Sequence, residues 1–210
     1  MMTRPTPPTP APRDDTRSKL LDAGVRLIRE KGLAATRVDE ICAAAGVTKG
    51  GFFHHFATKA AWAEEVARHW SQTTGALFET APYHQPADPL DRVLGYIDFR
   101  KAILQGGTAD FTCAAGTLAQ ETHLTGRAIC DAAGNAIFDH AAALEPDIAA
   151  AKDLYAPHAD WTPRSLALYT QAALQGAFIL AKAAGGPDVA QDMVDHLRRY
   201  VELLLPRDGS

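Results

Sequence analysis

Cysteine is scarce in this chain: Cys42, Cys113 and Cys130 are the only three among 210 residues, and none shares a Cys-x-x-Cys spacing. An odd, scattered set of thiols argues against a disulfide-stapled scaffold. Long apolar runs are missing too, and none approaches the roughly 20 residues needed to cross a bilayer. The opening MMTRPTPPTPAPR has no apolar centre and does not read as a signal peptide. A soluble, cytoplasmic protein is expected. Alternating apolar and polar runs, the mark of half-buried strands, are also lacking, so the class is all-α.

Catalytic signatures are absent in the same way. There is no His-Glu-x-x-His, no glycine-rich phosphate loop and no nucleophile elbow. Asp139-His140 and Asp195-His196 are sequence neighbours and so point to different helix faces. An enzyme is not expected, nor a cofactor. The pair His54-His55 has no accompanying cysteine or carboxylate pattern, so no metal site is assigned.

The charge is unevenly placed. The formal net charge is −4, yet residues 1–60 hold ten Lys/Arg against six Asp/Glu, and the remainder hold eleven against nineteen. A basic head of +4 on an acidic body of −8 suits a DNA-contacting module joined to something that does not touch DNA.

Glycine and proline punctuate a series of about nine helical patterns. Residues 1–13 carry five prolines and are expected to be an extended, disordered tail. A helix over 14–31 is buried through Leu20, Leu21, Leu27 and Ile28 and ends at Gly32. In the stretch TRVDEICAAAGVTKGGFFHHF, Val38, Ile41, Cys42 and Ala45 share one helix face, and Thr36 is placed as its N-cap. Gly46 supplies the positive φ that stops this helix, and Thr48 caps the next. Two short helices about a glycine turn make a helix-turn-helix, whose second helix enters the DNA major groove.

A helix from about 58 to 79 follows, closed by Pro82, Pro86 and Pro89. Further helices are expected over 88–105, in FTCAAGTLAQET, over 126–152 with a kink or break at Pro146, over 163–184 and over 187–205. The last two each begin with proline, as helix starts favour. The aromatic loop from Leu154 to Trp161 reads as a lid over a pocket.

The segment from about 17 to 66 resembles the DNA-binding domain of the TetR family of bacterial transcriptional repressors. The resemblance rests on Gly32, Thr36, Val38, Ile41, Ala45, Gly46, Val47, Thr48, Gly50, His55, Phe56 and Lys59. The chain departs at Cys42, where alanine is usual, and at Gly51 and Phe53, where hydroxyl-bearing residues are usual. It implies a division into a tail (1–13), a helix-turn-helix head (14–57) and a ligand-binding and dimerisation body (58–210).

DNA contacts are expected from Thr36, Arg37, Thr48, Lys49, Gly50, Gly51, Phe53, His54, His55 and Lys59. Lys49 opens the recognition helix and can donate to guanine O6 and N7. Gly50 and Gly51 let the backbone approach phosphates, and Thr36 and Thr48 can cap and touch phosphate together. The N-terminal Arg4, Arg13 and Arg17 are placed to follow phosphates, although a solvated tail is the simpler reading.

The resemblance further implies homodimerisation through the helices at 163–205, a palindromic operator, and release by a small-molecule inducer. Pocket candidates are Phe99, Phe111, Cys113, Phe138, Trp161 and Phe178, with Tyr155 nearby. Residues Cys113 to Glu121 also resemble a segment of a family branch that includes electrophile-sensing, NemR-like repressors, although Thr112 replaces the glycine usual before the cysteine. A regulator working through protein partners, with a degenerate head, is the alternative, supported by Gly51 and Phe53.

Overall fold

A computed structural model describes residues 13–207. The tail expected over 1–13 lies, apart from residue 13, outside the described residues, and so does Arg4. Ten α-helices follow one another: α1 (Arg13–Lys31), α2 (Val38–Ala45), α3 (Lys49–His55), α4 (Lys59–Glu79), α5 (Pro89–Ala102), α6 (Thr108–Phe111), α7 (Ala114–Thr122), α8 (Arg127–Tyr155), α9 (Pro163–Ala184) and α10 (Asp188–Leu204). A single 3-10 turn, Pro82–His84, lies between α4 and α5. The described chain is all-α.

Two apolar cores organise these helices. The first joins Leu20 and Ile28 of α1, Ile41 of α2, Phe52 of α3 and Trp62 and Val66 of α4. It runs on into Leu118 of α7 and Ile129 and Ala133 of α8. Gly24 makes this packing possible, because a Cβ there would lie 2.5 Å from the Trp62 ring. Trp62 is fully buried and its indole N–H donates to the Leu20 carbonyl at 3.1 Å, which fixes α4 across α1. The second core gathers α5, the C-terminal half of α8, α9 and α10 around Tyr96, Ile97, Ile148, Leu174 and Val201.

Several expected boundaries shift. The helix expected through FTCAAGTLAQET is two, α6 and α7, because Cys113 is extended and serves as the N-cap of α7, its Sγ accepting from the Gly116 N–H at 3.3 Å. Pro146 does not break α8, which runs unbroken for 29 residues. Proline removes the bond to the Ala142 carbonyl, but Ala142 and Pro146 are both exposed, so water can take that place. Pro163 opens α9 as expected, whereas Pro187 is the N-cap of α10 rather than its first turn. The N-cap of α2 is Arg37, not Thr36. Finally, none of residues 154–161 lines the cavity between the two cores. Tyr155 ends α8 and its hydroxyl bonds Asp88, while Lys152 lies over the Trp161 ring.

α9 and α10 pack on each other and leave an apolar outer face. Tyr169, Ile179 and Leu180 of α9 and Tyr200 and Leu203 of α10 are exposed, with the Tyr169 and Tyr200 rings 4.9 Å apart. No helix among the described residues is long and apolar enough to cross a membrane.

Candidate DNA-binding face and ligand cavity

Helix α3 has two sides. Phe52 is buried and meets Phe56 and Trp62, so one side is anchored in the head core. Lys49, Gly50, Phe53 and His54 lie on the other side and face solvent. Thr48 caps the helix, its hydroxyl accepting from the Gly51 N–H at 3.1 Å. The turn before it is set by Gly46 at φ 65°, a left-handed conformation that glycine tolerates best.

Lys49 pairs with Asp39 of α2 at 3.0 Å. Both groups are well exposed, so the pair is weak and exchanges readily for a phosphate or a base edge. Arg37 is exposed, and its backbone N–H donates to Glu40 at 2.8 Å. The hydrogen bond from Lys31, with that from Arg37, holds the Glu40 carboxyl down at about 2.

Three expected contacts sit differently. Thr36 is fully buried and its hydroxyl donates to the Gly32 carbonyl at 2.6 Å, so it is turned into the α1–α2 corner rather than outward. Gly51 is favoured by packing: a Cβ there would lie 2.7 Å from a Val47 methyl, whereas one at Gly50 would meet only the Thr48 hydroxyl, at 3.9 Å. Lys59 is half-buried and donates to the Leu33 carbonyl at 2.6 Å, tying the start of α4 to the end of α1. His55 is half-buried against His54 and Phe56.

Glu121, at the end of α7, contributes a further tie that its sequence position does not announce. Its carboxylate accepts from the Ala34 N–H at 2.8 Å and lies over Gly32, whose φ is 83°. Glycine 32 therefore ends α1 and leaves room for a body residue to hold the head.

Between the two cores lies a cavity of about 310 Å³, at the lower end of the range for small-molecule sites. Trp70, Thr74, Leu77 and Phe78 of α4 form one wall, and Ala136, Ile137 and His140 of α8 another. Of the pocket candidates, Phe111, Cys113 and Phe178 line it. Phe99, Phe138 and Trp161 do not. Phe99 packs on Phe78 and Tyr83. Phe138 is 57% exposed, since Ile137 takes the inward position and the next residue is turned about 100° away. The unexpected polar lining includes Arg29, Arg100, Asp110, His140, Gln171 and Gln175.

These polar groups form a directed chain at one end. Gln171 donates to the Tyr96 hydroxyl at 3.1 Å, and that hydroxyl lies 2.9 Å from His140 Nε2. The Tyr96 hydroxyl, which accepts from Gln171, donates to His140 Nε2 in the tautomer that carries its proton on Nδ1. Burial, reinforced by the nearby Arg100, pushes the His140 imidazole down to about 3, so it is neutral near pH 7. Burial likewise raises the Tyr96 phenol.

A helix-turn-helix with an outward second helix, set on a helical body with an internal cavity, defines a class of DNA-binding regulator. Residues 20–66 match the family described as bacterial regulatory proteins, tetR family. Over 66 residues the chain is 42% identical to the transcriptional repressor KstR2 of Rhodococcus jostii, covering 29% of this chain and 32% of that one. Over 79 residues it is 34% identical to the regulator AcrR of Shigella flexneri, covering 36% and 35%. The chain thus aligns with about a third of the length of these curated relatives. The fold extends further. A TetR regulatory protein from Rhodobacter sphaeroides superposes with a TM-score of 0.77 at 24% identity, over 88% of this chain and 98% of that one. Reduced NemR of E. coli does so at 0.74 and 21%, over 92% and 100%, a likeness of fold alone. Residues 20–66, the helix-turn-helix head, carry the match to this family, and the described chain shares the fold of these regulators.

Proposed function

We propose that this regulator is a cytoplasmic transcriptional repressor that binds a palindromic operator as a homodimer and is released by a small molecule. The observation that carries the reading is the outward side of α3, where Lys49, Gly50, Phe53 and His54 stand clear of a packed head core. Lys49 and His54 read base edges, and Gly50 leaves the backbone free to approach. Phe53 is 49% exposed and, lacking a hydroxyl, suits a thymine methyl better than a phosphate. Arg37, Thr48, His55 and Lys59 are assigned to the phosphates. Gly51 is kept for its packing, and Thr36 leaves the contact set because it is buried.

The division at 57/58 is proposed as one of function, since packing crosses it. Helix α4 enters the head core through Trp62 and reaches the cavity through Trp70 and Phe78, so it belongs to both sites. A ligand that fits one tilt of α4 better shifts DNA affinity by its differential binding, typically 1–3 kcal/mol. The exposed apolar face of α9 and α10 is assigned to the dimer, where two such pairs form a four-helix bundle.

Fluorescence anisotropy against DNA from upstream of the protein's own gene, at two salt concentrations and with scrambled DNA as control, tests the reading. Salt-sensitive preference for the upstream fragment is expected. A folded dimer that prefers no fragment, there or in a selection from genomic DNA, would favour action through protein partners.

A further inference from the structure

The cavity holds two arginines that the fold neutralises only in part. Arg29, on α1, lies over the Trp70 ring at 5.1 Å, and Arg100, on α5, lies over Phe78 and Phe178 at 5.1 and 5.6 Å. Neither makes an ion pair or hydrogen bond with any described residue, and the Nε of each is buried without a partner. Several other arginines are paired with a carboxylate. Arg92 has Asp147, Arg198 has Asp98 and Arg127 has Asp131. A half-buried guanidinium without a paired carboxylate is costly, and stacking on rings offsets only part of that cost.

The remaining lining does not supply the missing charge. Asp110 is its one carboxylate; it accepts from the Gly107 N–H at 2.8 Å, and its charge acts on Arg29. His140 is neutral and its Nε2 is held by Tyr96. Two guanidiniums against one carboxylate leave the wall with an excess of one positive charge. Thr73, Thr74, Gln171 and Gln175 are polar but uncharged, and Trp70, Leu77, Ile103 and Phe111 are apolar.

We propose that the cavity binds an organic monoanion with an apolar body, an aromatic or branched carboxylate, whose charge is met by Arg29 and Arg100. The proposal rests on the ligand-release reading above and deepens it. Guanidinium forks match carboxylates in shape as well as charge, which a neutral ligand of the same body cannot use. Arg29 also belongs to the head. An anion in the cavity acts on α1 directly, in addition to any push on α4.

Calorimetric titration of the free protein with 2-naphthoate and with its neutral counterpart 2-naphthamide tests this. Wild type should prefer the acid by about ten-fold or more, as charge-assisted bonds warrant. R29Q and R100Q should each lose most of that preference and leave amide binding unchanged, with helicity by circular dichroism and DNA affinity retained. Equal binding of acid and amide, no binding of either, or a preference that survives in the double variant would overturn the proposal. DNA release is scored separately by anisotropy. A preference for the acid without release would leave the anion site standing and overturn the release reading instead.

Discussion

On α3, Lys49, Gly50, Phe53 and His54 stand in solvent on a seven-residue helix whose inner side is Phe52. In the body, Arg100, His140, Tyr96 and Gln171 are enclosed among aromatic rings and bond one another or nothing. The head keeps its functional groups wet and depends on a dry core beneath them. The body withdraws its groups from water, where each interaction is stronger and each unmet one more costly. A surface reader can exchange the Asp39–Lys49 pair for DNA at little cost. A buried site holds its specificity in the charge it leaves unmatched.

The comparison breaks most severely at the head core. Trp62→Ala removes the ring over Gly24 and the bond to Leu20, and should cost about 3–5 kcal/mol of unfolding free energy by urea titration. DNA binding should be lost with it. A variant that stays folded with full DNA affinity would show that the face of α3 does not depend on this core.

The body is sharpened by pH. His140 is down at about 3 in the folded state and near the usual 6.5 unfolded, so the unfolded chain binds the extra proton between those values. Stability is therefore complete above about pH 6.5 and is lost as pH falls toward 3. The slope approaches at most about 1.4 kcal/mol per pH unit for this one group. His140→Gln should be flatter than wild type over that window in chemical denaturation. Identical slopes would mean that His140 is hydrated.

On the wet side, Lys49→Ala should weaken operator binding by about 1–3 kcal/mol and relax one base position, without altering the melting temperature. Equal loss on scrambled DNA would demote Lys49 to a phosphate contact. The smallest effect is expected at the seam. Glu121→Ala removes the acceptor for the Ala34 N–H and should cost about 0.5–1.5 kcal/mol. Faster amide exchange confined to residues 32–36 would mark the loosened tie, and unchanged exchange would show that it carries nothing.

Much of the head was legible because its signals are local. Gly46, Thr48 and the periodic Val38, Ile41 and Cys42 lie within a few residues of the features they set. Thr36 was misplaced because its hydroxyl could as well turn back to Gly32 as forward to cap α2. Gly51 was assigned to backbone approach because its close neighbour, Val47, sits across a turn. The cavity was only half legible. Phe111, Cys113 and Phe178 carry an apolar signal, whereas Phe138 sits one position from the inward face of α8. Arg29 and Arg100 gave no signal, because a charged residue on a helix reads as solvated until the neighbouring helices are placed around it. Glu121 meets Ala34 across 87 residues, which no local pattern encodes.

Selection of bound sequences from random double-stranded DNA, followed by footprinting, tests the central claim most directly. The account predicts an inverted repeat whose half-sites are centred about one helical turn apart, roughly 34–36 Å, or a multiple of it. Lys49→Ala should degrade the same position in both halves. Recovery of no enriched sequence, or of a single unrepeated site, would contradict a dimer that reads DNA through α3.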